Sequence, residues 1–510
     1  MNSSRFIEQS QIWQRLSPLS VMFFVGKIVA RLLKEALPSL APLAVIIFSS
    51  DNKAWLTTTI AIGIIALIII GSFLQFWFFK FKQEGHKMLI NDGVFKKNHR
   101  VIQFDRIQNI NILQPLYFKP FRLVTLQIET AGSKGNEADL AGIPRDFAEY
   151  LRNQVLQQLE SVGTETSGET DKNQNQDQLI AQASLKDLVK YGISSNGVFW
   201  FFVFLASLFG FADDYLEKWF SKEDLSYVAE FLGGGIMGEA IIIFSILLTI
   251  IILMFGFSIL GAILRYFNYH LTLRSQTSNT QTLKRSSGLI TNYEESLKLK
   301  KIQTFITQSN FIGRWLRVIH LTLGQVSSSQ VKAKNRQSLF VVPARTSEES
   351  LKIQKVVFND SPDEIETKGI DRRYINKTIA IKIFFPALLM SLFFYLLSDH
   401  ILILGLPFVL SLIMLPLVII RWKSYRFGMK DGYGKFERGL FGFRHILFPL
   451  YKVQRAEVRQ SPIQRRRNLA TLKIYLASNQ IQMQYIPIEE ANRWLEVIGQ
   501  EVEDTDLAWY

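Results

Sequence analysis

Three windows of the chain share one arrangement of apolar and polar positions. Residues 106–132, 301–327 and 452–478 open on Arg106, Lys301 or Lys452, followed by a branched aliphatic and a glutamine (Gln108, Gln303, Gln454). Each closes on alternation: Val124, Leu126 and Ile128; Ile319, Leu321 and Leu323; Ala470, Leu472 and Ile474, with polar residues between them. One apolar and one wet face predict antiparallel strands covering a core. Upstream, Ile102 and Phe104, Leu297 and Leu299, and Phe448 and Leu450 alternate in the same way. Before them Gly93, Gly288 and Gly439 each precede two apolar residues, a spacing that predicts a hairpin turn. The steps Ile143-Pro144, Val342-Pro343 and Ile486-Pro487 then lead into helical sequence, where proline suits the first turn. The predicted unit is several antiparallel strands and a C-terminal helix in about 75–90 residues, enough to fold alone, if marginally.

Between the repeats lie long uncharged runs, at 55–79, 240–264 and 401–420. Each is long enough to cross a hydrocarbon layer of about 30 Å as a helix. Shorter apolar runs at 36–50, 192–212 and 383–398 precede them, so the pattern predicts three helical hairpins and six spans. The stretches before the first two hairpins, RLSPLSVMFFVGKIVARLLKEAL and SLKDLVKYG, are amphipathic and flanked by lysine or arginine, as helices lying in a headgroup layer are. The resulting division is an N-terminal segment (1–35), hairpin 1 (36–80), domain 1 (81–160) and a polar linker (161–184). An interfacial segment with hairpin 2 (185–266), domain 2 (267–358) and a linker (359–377) follow. Hairpin 3 (378–421), domain 3 (422–503) and a tail (504–510) complete the chain. Within the first linker, TETSGETDKNQNQDQ reads as flexible on composition.

Charge adds an orientation. The chain carries +14, yet the turns inside the predicted hairpins sum to −6, leaving +20 for everything else. Lysine and arginine gather on the cytoplasmic side of membrane proteins, which predicts cytoplasmic termini and cytoplasmic repeats in a bacterial cell membrane. The first twenty residues lack the layout of a cleavable signal peptide. Cysteine is absent, which excludes disulfides, thiolate nucleophiles and cysteine metal sites. The six histidines show no i, i+4 pairing or metal-binding spacing and read as scattered surface residues. The glycine-rich stretches 233–239 and 431–439 lack a P-loop's GK[ST] and read as turns. Ionisable groups are missing from the centres of the spans, with Lys382 near one end, so the spans read as anchors.

The glycine hairpins, the basic-aliphatic-Gln step, the aromatic and basic knot that follows it and the terminal helix resemble the bacterial pleckstrin-homology-like (bPH2-type) domain. Three such domains, each behind a two-helix hairpin, are similar to the YdbT-like membrane proteins. The resemblance implies a bent sheet or small barrel of about seven strands per domain, plugged by the helix, at the cytoplasmic membrane. It implies no catalytic residue.

The fold class expected is therefore a polytopic α-helical membrane protein bearing three cytoplasmic PH-like α+β domains. Candidate contact residues for an anionic lipid headgroup or a protein partner are the repeated basic position (Arg106, Lys301, Lys452) and the knots (Lys119 and Arg122; Arg314, Trp315 and Arg317; Arg465, Arg466 and Arg467). Basic residues near an anionic bilayer contribute about 1 kcal/mol each, and tryptophan favours that interface. The alternative for the repeated position, and the favoured one, is a residue that closes a turn and satisfies carbonyls. For the knots it is a solvated loop or a contact between domains. Single-stranded nucleic acid would use the same residue types, but tethering at a bilayer argues against it. No cofactor or metal is expected, and no enzymatic activity. The expected role is a membrane scaffold or sensor for anionic lipid or other membrane proteins; the alternative is a transporter or export component for amphipathic peptides or lipids.

Overall fold

A computed structural model of the chain describes residues 12–32, 53–130, 138–161, 177–195, 230, 234–277, 280–325, 340–397 and 401–504. The run 36–50 and residues 196–212 of the run 192–212, the expected first arms of hairpins 1 and 2, lie outside these residues, as does most of the polar linker. Among the described residues, four helices are long and apolar enough to cross a membrane: Thr58–Phe78, Gly235–Tyr266, Arg373–Tyr395 and Gly405–Ser424.

Among the described residues, each repeat contributes seven strands. The first has β1 (Gln14–Arg15), β2 (Lys80–Glu84), β3 (Lys87–Asp92), β4 (Asn98–Gln103), β5 (Ile107–Pro115), β6 (Leu123–Thr130) and β7 (Ala138–Pro144). The second has β8 (Asp177–Gln182), β9 (His270–Thr277), β10 (Thr280–Ser287), β11 (Thr291–Lys298), β12 (Ile302–Ser309), β13 (Ile319–Gln325) and β14 (Phe340–Arg345). The third has β15 (Lys368–Gly369), β16 (Arg426–Lys430), β17 (Tyr433–Arg438), β18 (Phe443–Pro449), β19 (Val453–Arg459), β20 (Leu469–Leu476) and β21 (Gln480–Pro487). All pairings are antiparallel, and the alternating apolar residues fill one core cluster per repeat. Strands β8 and β15 come from stretches read as linkers; they add to the sheet edge ahead of the membrane helices. Composition alone hid them, because so short an edge strand needs little apolar surface.

The basic position sits at a corner. A 3-10 turn, Phe104–Arg106, Leu299–Lys301 or Leu450–Lys452, redirects the chain from the fourth strand of each repeat to the fifth. The two halves of each repeat therefore belong to different sheets. The order of one seven-stranded sheet is β7-β6-β5-β11-β10-β9-β8, and of the next β14-β13-β12-β18-β17-β16-β15. Neighbouring repeats are fused edge to edge, in place of the three self-contained sheets that the repeat pattern suggested.

The registers reveal one misplaced equivalence. Val124 pairs with Ile143 and Ala470 with Ile486, but Ile319 pairs with Arg345. Thr346 thus occupies the place of Pro144 and Pro487, and Val342-Pro343 lies further upstream. Thr346 starts its helix (Ser347–Val357) through a capping box with Glu349, doing by side-chain hydrogen bonding what proline does by fixed φ. Just before this position the last strand bulges at a positive-φ residue: Gly142, Ala344 or Tyr485. In two repeats the bulge receives the segment that leads into the membrane. Ser17 N–H donates to Gly142 O and Ser20 Oγ to Ala141 O; Asp371 N–H donates to Tyr485 O.

Candidate functional site: the basic knots and the repeat joints

The knots connect the fifth and sixth strands. Their exposed aliphatic and aromatic side chains are Leu116 and Phe121 in the first, Phe311 and Trp315 in the second, and Ile463 in the third. Each ends on a left-handed residue, Arg122, Arg317 or Asn468, which turns the chain back into the sheet. Each is held by a side chain nine residues before its acceptor: Gln114 Nε2 donates to Leu123 O, Ser309 Oγ to Val318 O and Gln460 Nε2 to Leu469 O. Ser309 fills this place in the second repeat. Arg122, Arg314, Arg317, Arg465, Arg466 and Arg467 are exposed, and Trp315 is 80% exposed.

Two knots abut the turn between the third and fourth strands of the next repeat, which is hydrogen-bonded to that repeat's membrane helix. Lys119 Nζ donates to Leu289 O at 2.7 Å, and Leu289 N–H donates to Leu264 O inside the helix Gly235–Tyr266. In the second joint the turn at Gly439 is tied to the helix Ile401–Ser424 by Ser424 Oγ, which donates to Gly439 O at 2.5 Å. Gly442 in that turn lies against the start of the second knot. A Cβ there would meet Ser309 O at 1.9 Å and Asn310 Cα at 2.6 Å. The sequence placed Leu289 and Ile290, and Leu440 and Phe441, in hairpins; the structure shows them exposed beside the knots, next to the membrane helices.

The repeated basic residues divide by their surroundings. Lys452 is 2% exposed, and its Nζ donates to Lys300 O at 2.8 Å and Ile302 O at 2.6 Å in the preceding repeat. Burial pulls its pKa down to about 8. Lys301 lines a cleft between the first two repeats with Ile107, Asn109 and Arg152, and burial, with Lys298 nearby, takes it down to about 8 as well. Arg106, at the same position in the first repeat, is exposed.

The joints also hold groups that periodicity did not single out. At the first, the Glu294 carboxylate is buried beside Arg145 at 2.5 Å, Lys284 at 3.4 Å and Arg152 at 3.8 Å. Burial pushes Glu294 up, but Lys284, Arg145 and Arg152 together hold it below the ordinary carboxylate range. Glu129 is raised to about 7 by burial and by Glu295, despite a hydrogen bond from Asn109. Isolated glutamates inside strands gave no signal; a run of acidic residues in an otherwise basic window, Glu294-Glu295, was the available clue. His320 is a further correction, since it is buried and not on the surface. Ala344 N–H donates to its Nδ1, so Nε2 carries the proton toward Ser194 Oγ at 3.0 Å. Burial takes its pKa down to about 4, against a smaller upward pull from Ser194. Among the described residues, no three acidic or histidine side chains are grouped to hold a metal ion.

Membrane helices leading into three edge-fused PH-like units define a class of membrane protein with tandem PH-like domains. The chain belongs to the bacterial PH domain family, whose profile matches residues 29–159, 225–357 and 386–502. It is similar to the UPF0699 transmembrane protein YdbT of Bacillus subtilis (strain 168), at 26% identity over 310 residues, covering 59% of this chain and 60% of that one. The UPF0699 transmembrane protein YdbS of the same organism is 27% identical over 106 residues, 20% of this chain and 67% of that one. No solved structure matches the chain.

Proposed function

We propose that the protein is a non-enzymatic scaffold or sensor at the cytoplasmic face of a bacterial cell membrane, presenting its knots to anionic headgroups and to neighbouring membrane proteins. The observation that carries this reading is the abutment of knots and span ends: Lys119 reaches a turn hydrogen-bonded to a membrane helix, and Gly442 brings the second knot to another. That abutment supports a reading in which Phe121, Arg122, Phe311, Arg314, Trp315 and Arg317 sit at headgroup depth, where aromatic and basic side chains gain most. Six spans fit the same geometry. The segment before hairpin 1 docks on β7, and the last helix of that hairpin leads into β2 of the same unit, so an even number of crossings separates them. The lysine and arginine excess outside the turns favours the cytoplasmic side.

Native mass spectrometry of the full-length protein after partial delipidation tests the lipid half of this reading. Retention of anionic over zwitterionic lipid is expected, and R314S/R317S with R465S/R466S/R467S is expected to remove most of the preference. Equal retention of both headgroup classes by the unmodified chain would refute it.

A further inference from the structure

Two joints in this chain are built to one plan, and the two edges that would build a third have no strand partner among the described residues. Leu113 faces Tyr293 and Gln114 faces Asn292 where β5 meets β11. Gln308 faces Arg444 and Ser309 faces Phe443 where β12 meets β18. Counted from Arg106, Lys301 and Lys452, these are the same positions, so the register of the two joints is identical. Among the described residues, the fifth strand of the third repeat, β19, pairs only with β20, and the fourth strand of the first repeat, β4, only with β3. Side chains change with occupancy. Leu447 on β18 is 7% exposed, while its counterpart on β4, Val101, is 56% exposed. On the other edge Phe305 is buried inside a joint, and its counterpart Ala456 is half-buried.

We propose that a second copy of this chain occupies these edges, β19 of one copy pairing with β4 of the next in the register of the internal joints. That register sets Arg459 opposite Asn98, Val458 opposite His99, Glu457 opposite Arg100 and Ala456 opposite Val101. Opposite charges and an apolar pair therefore face each other, the combinations that stabilise cross-strand neighbours. Arg106, exposed in the single chain, takes the place that Lys452 has in the second joint, reaching the carbonyls of the partner's Tyr451 and the partner's Val453. The third knot comes against the turn at Gly93 as the other knots meet theirs, so the contact lies alongside the membrane. The like charges of Lys96 and Lys97 against Arg465, Arg466 and Arg467 oppose it, and an anionic bilayer screens them. The interface is head-to-tail, so copies add in a ring or a row. Its occupant is argued from continuity with two joints already made, and a second copy carries both complementary edges.

The chain has no cysteine, so introduced pairs report without background. Full-length N98C and R459C chains, purified separately and mixed in vesicles containing anionic lipid, are expected to give one disulfide-linked heterodimer. Facing residues in an antiparallel pair lie within the Cα span a disulfide requires. Exchange of R459C for R455C, four residues along the strand, is expected to abolish the product. R100E is expected to reduce it at least tenfold, and E457R on the other chain to restore it. The proposal is overturned if the mixture gives no heterodimer while L113C/Y293C links within one chain. It is equally overturned if the off-register pair links as well, or if a chain carrying both N98C and R459C links only within itself.

Discussion

Glu294→Gln is the sharpest perturbation of the first joint. The substitution keeps shape and removes the carboxylate shared by Arg145, Lys284 and Arg152. Arg152 is the decisive partner, since its side chain is only 7% exposed and cannot turn to solvent. At an effective dielectric of about 20, a unit pair at that separation is worth about 4 kcal/mol. Removing one member of a buried pair costs about 3–5 kcal/mol. Arg145 and Lys284 reach water and recover part of their loss, which leaves a net cost of about 3 kcal/mol. Opening of β5 from β11 then becomes roughly a hundredfold easier. Hydrogen exchange read by mass spectrometry in peptides covering 107–115 and 291–298 should accelerate by that factor, with 302–309 and 443–449 unchanged. Adding R152M removes the stranded charge and should restore most of the protection. Unchanged exchange in 107–115, or equal acceleration at both joints, would refute the reasoning.

Three further outcomes follow from the same geometry. Gly442→Val drives side-chain atoms into Ser309 O and should open the second joint, seen as faster exchange in 302–309 and 443–449 with 107–115 unaffected. Lys452→Met strands two carbonyls, costing about 1–3 kcal/mol each, but removes a charge whose burial costs about 3 kcal/mol, so its net effect at pH 7 should be under about 3 kcal/mol. Because the folded pKa of Lys452 lies below the unfolded one, the unfolded chain holds more protons between pH 8 and 10.5. Wild type should therefore gain stability over K452M as pH rises through that window, measured by denaturant titration. His320, with a folded pKa of about 4, stabilises the neutral form; wild type should lose up to about 3 kcal/mol relative to H320Q as pH falls from 6.5 to 4, in the same assay.

The repeated unit was legible because its signals are local. Alternation at Val124, Leu126 and Ile128, and at its two counterparts, marks a half-buried strand whichever repeat it pairs with. The spans at Gly235–Tyr266 and Gly405–Ser424 follow from composition alone. Pairing between repeats was not legible, because a strand that leaves its own sheet for a neighbour's keeps the same period. Position Lys452 shows the limit: its recurrence was visible, but recurrence does not separate a ligand from a corner residue bonded to Lys300 O and Ile302 O. Thr346 misled for a different reason. Proline and a capping threonine start a helix by unrelated means, so matching on Pro343 shifted the equivalence.

Paired cysteines at Leu113 and Tyr293, and separately at Gln308 and Arg444, test the fused architecture most directly, since both pairs face each other across joints between repeats. In native membranes under mild oxidation each pair should close a disulfide within a single chain, with no increase in mass. Failure of both pairs to link, with the thiols still freely alkylated, would mean that the three repeats are separate domains and not one continuous body.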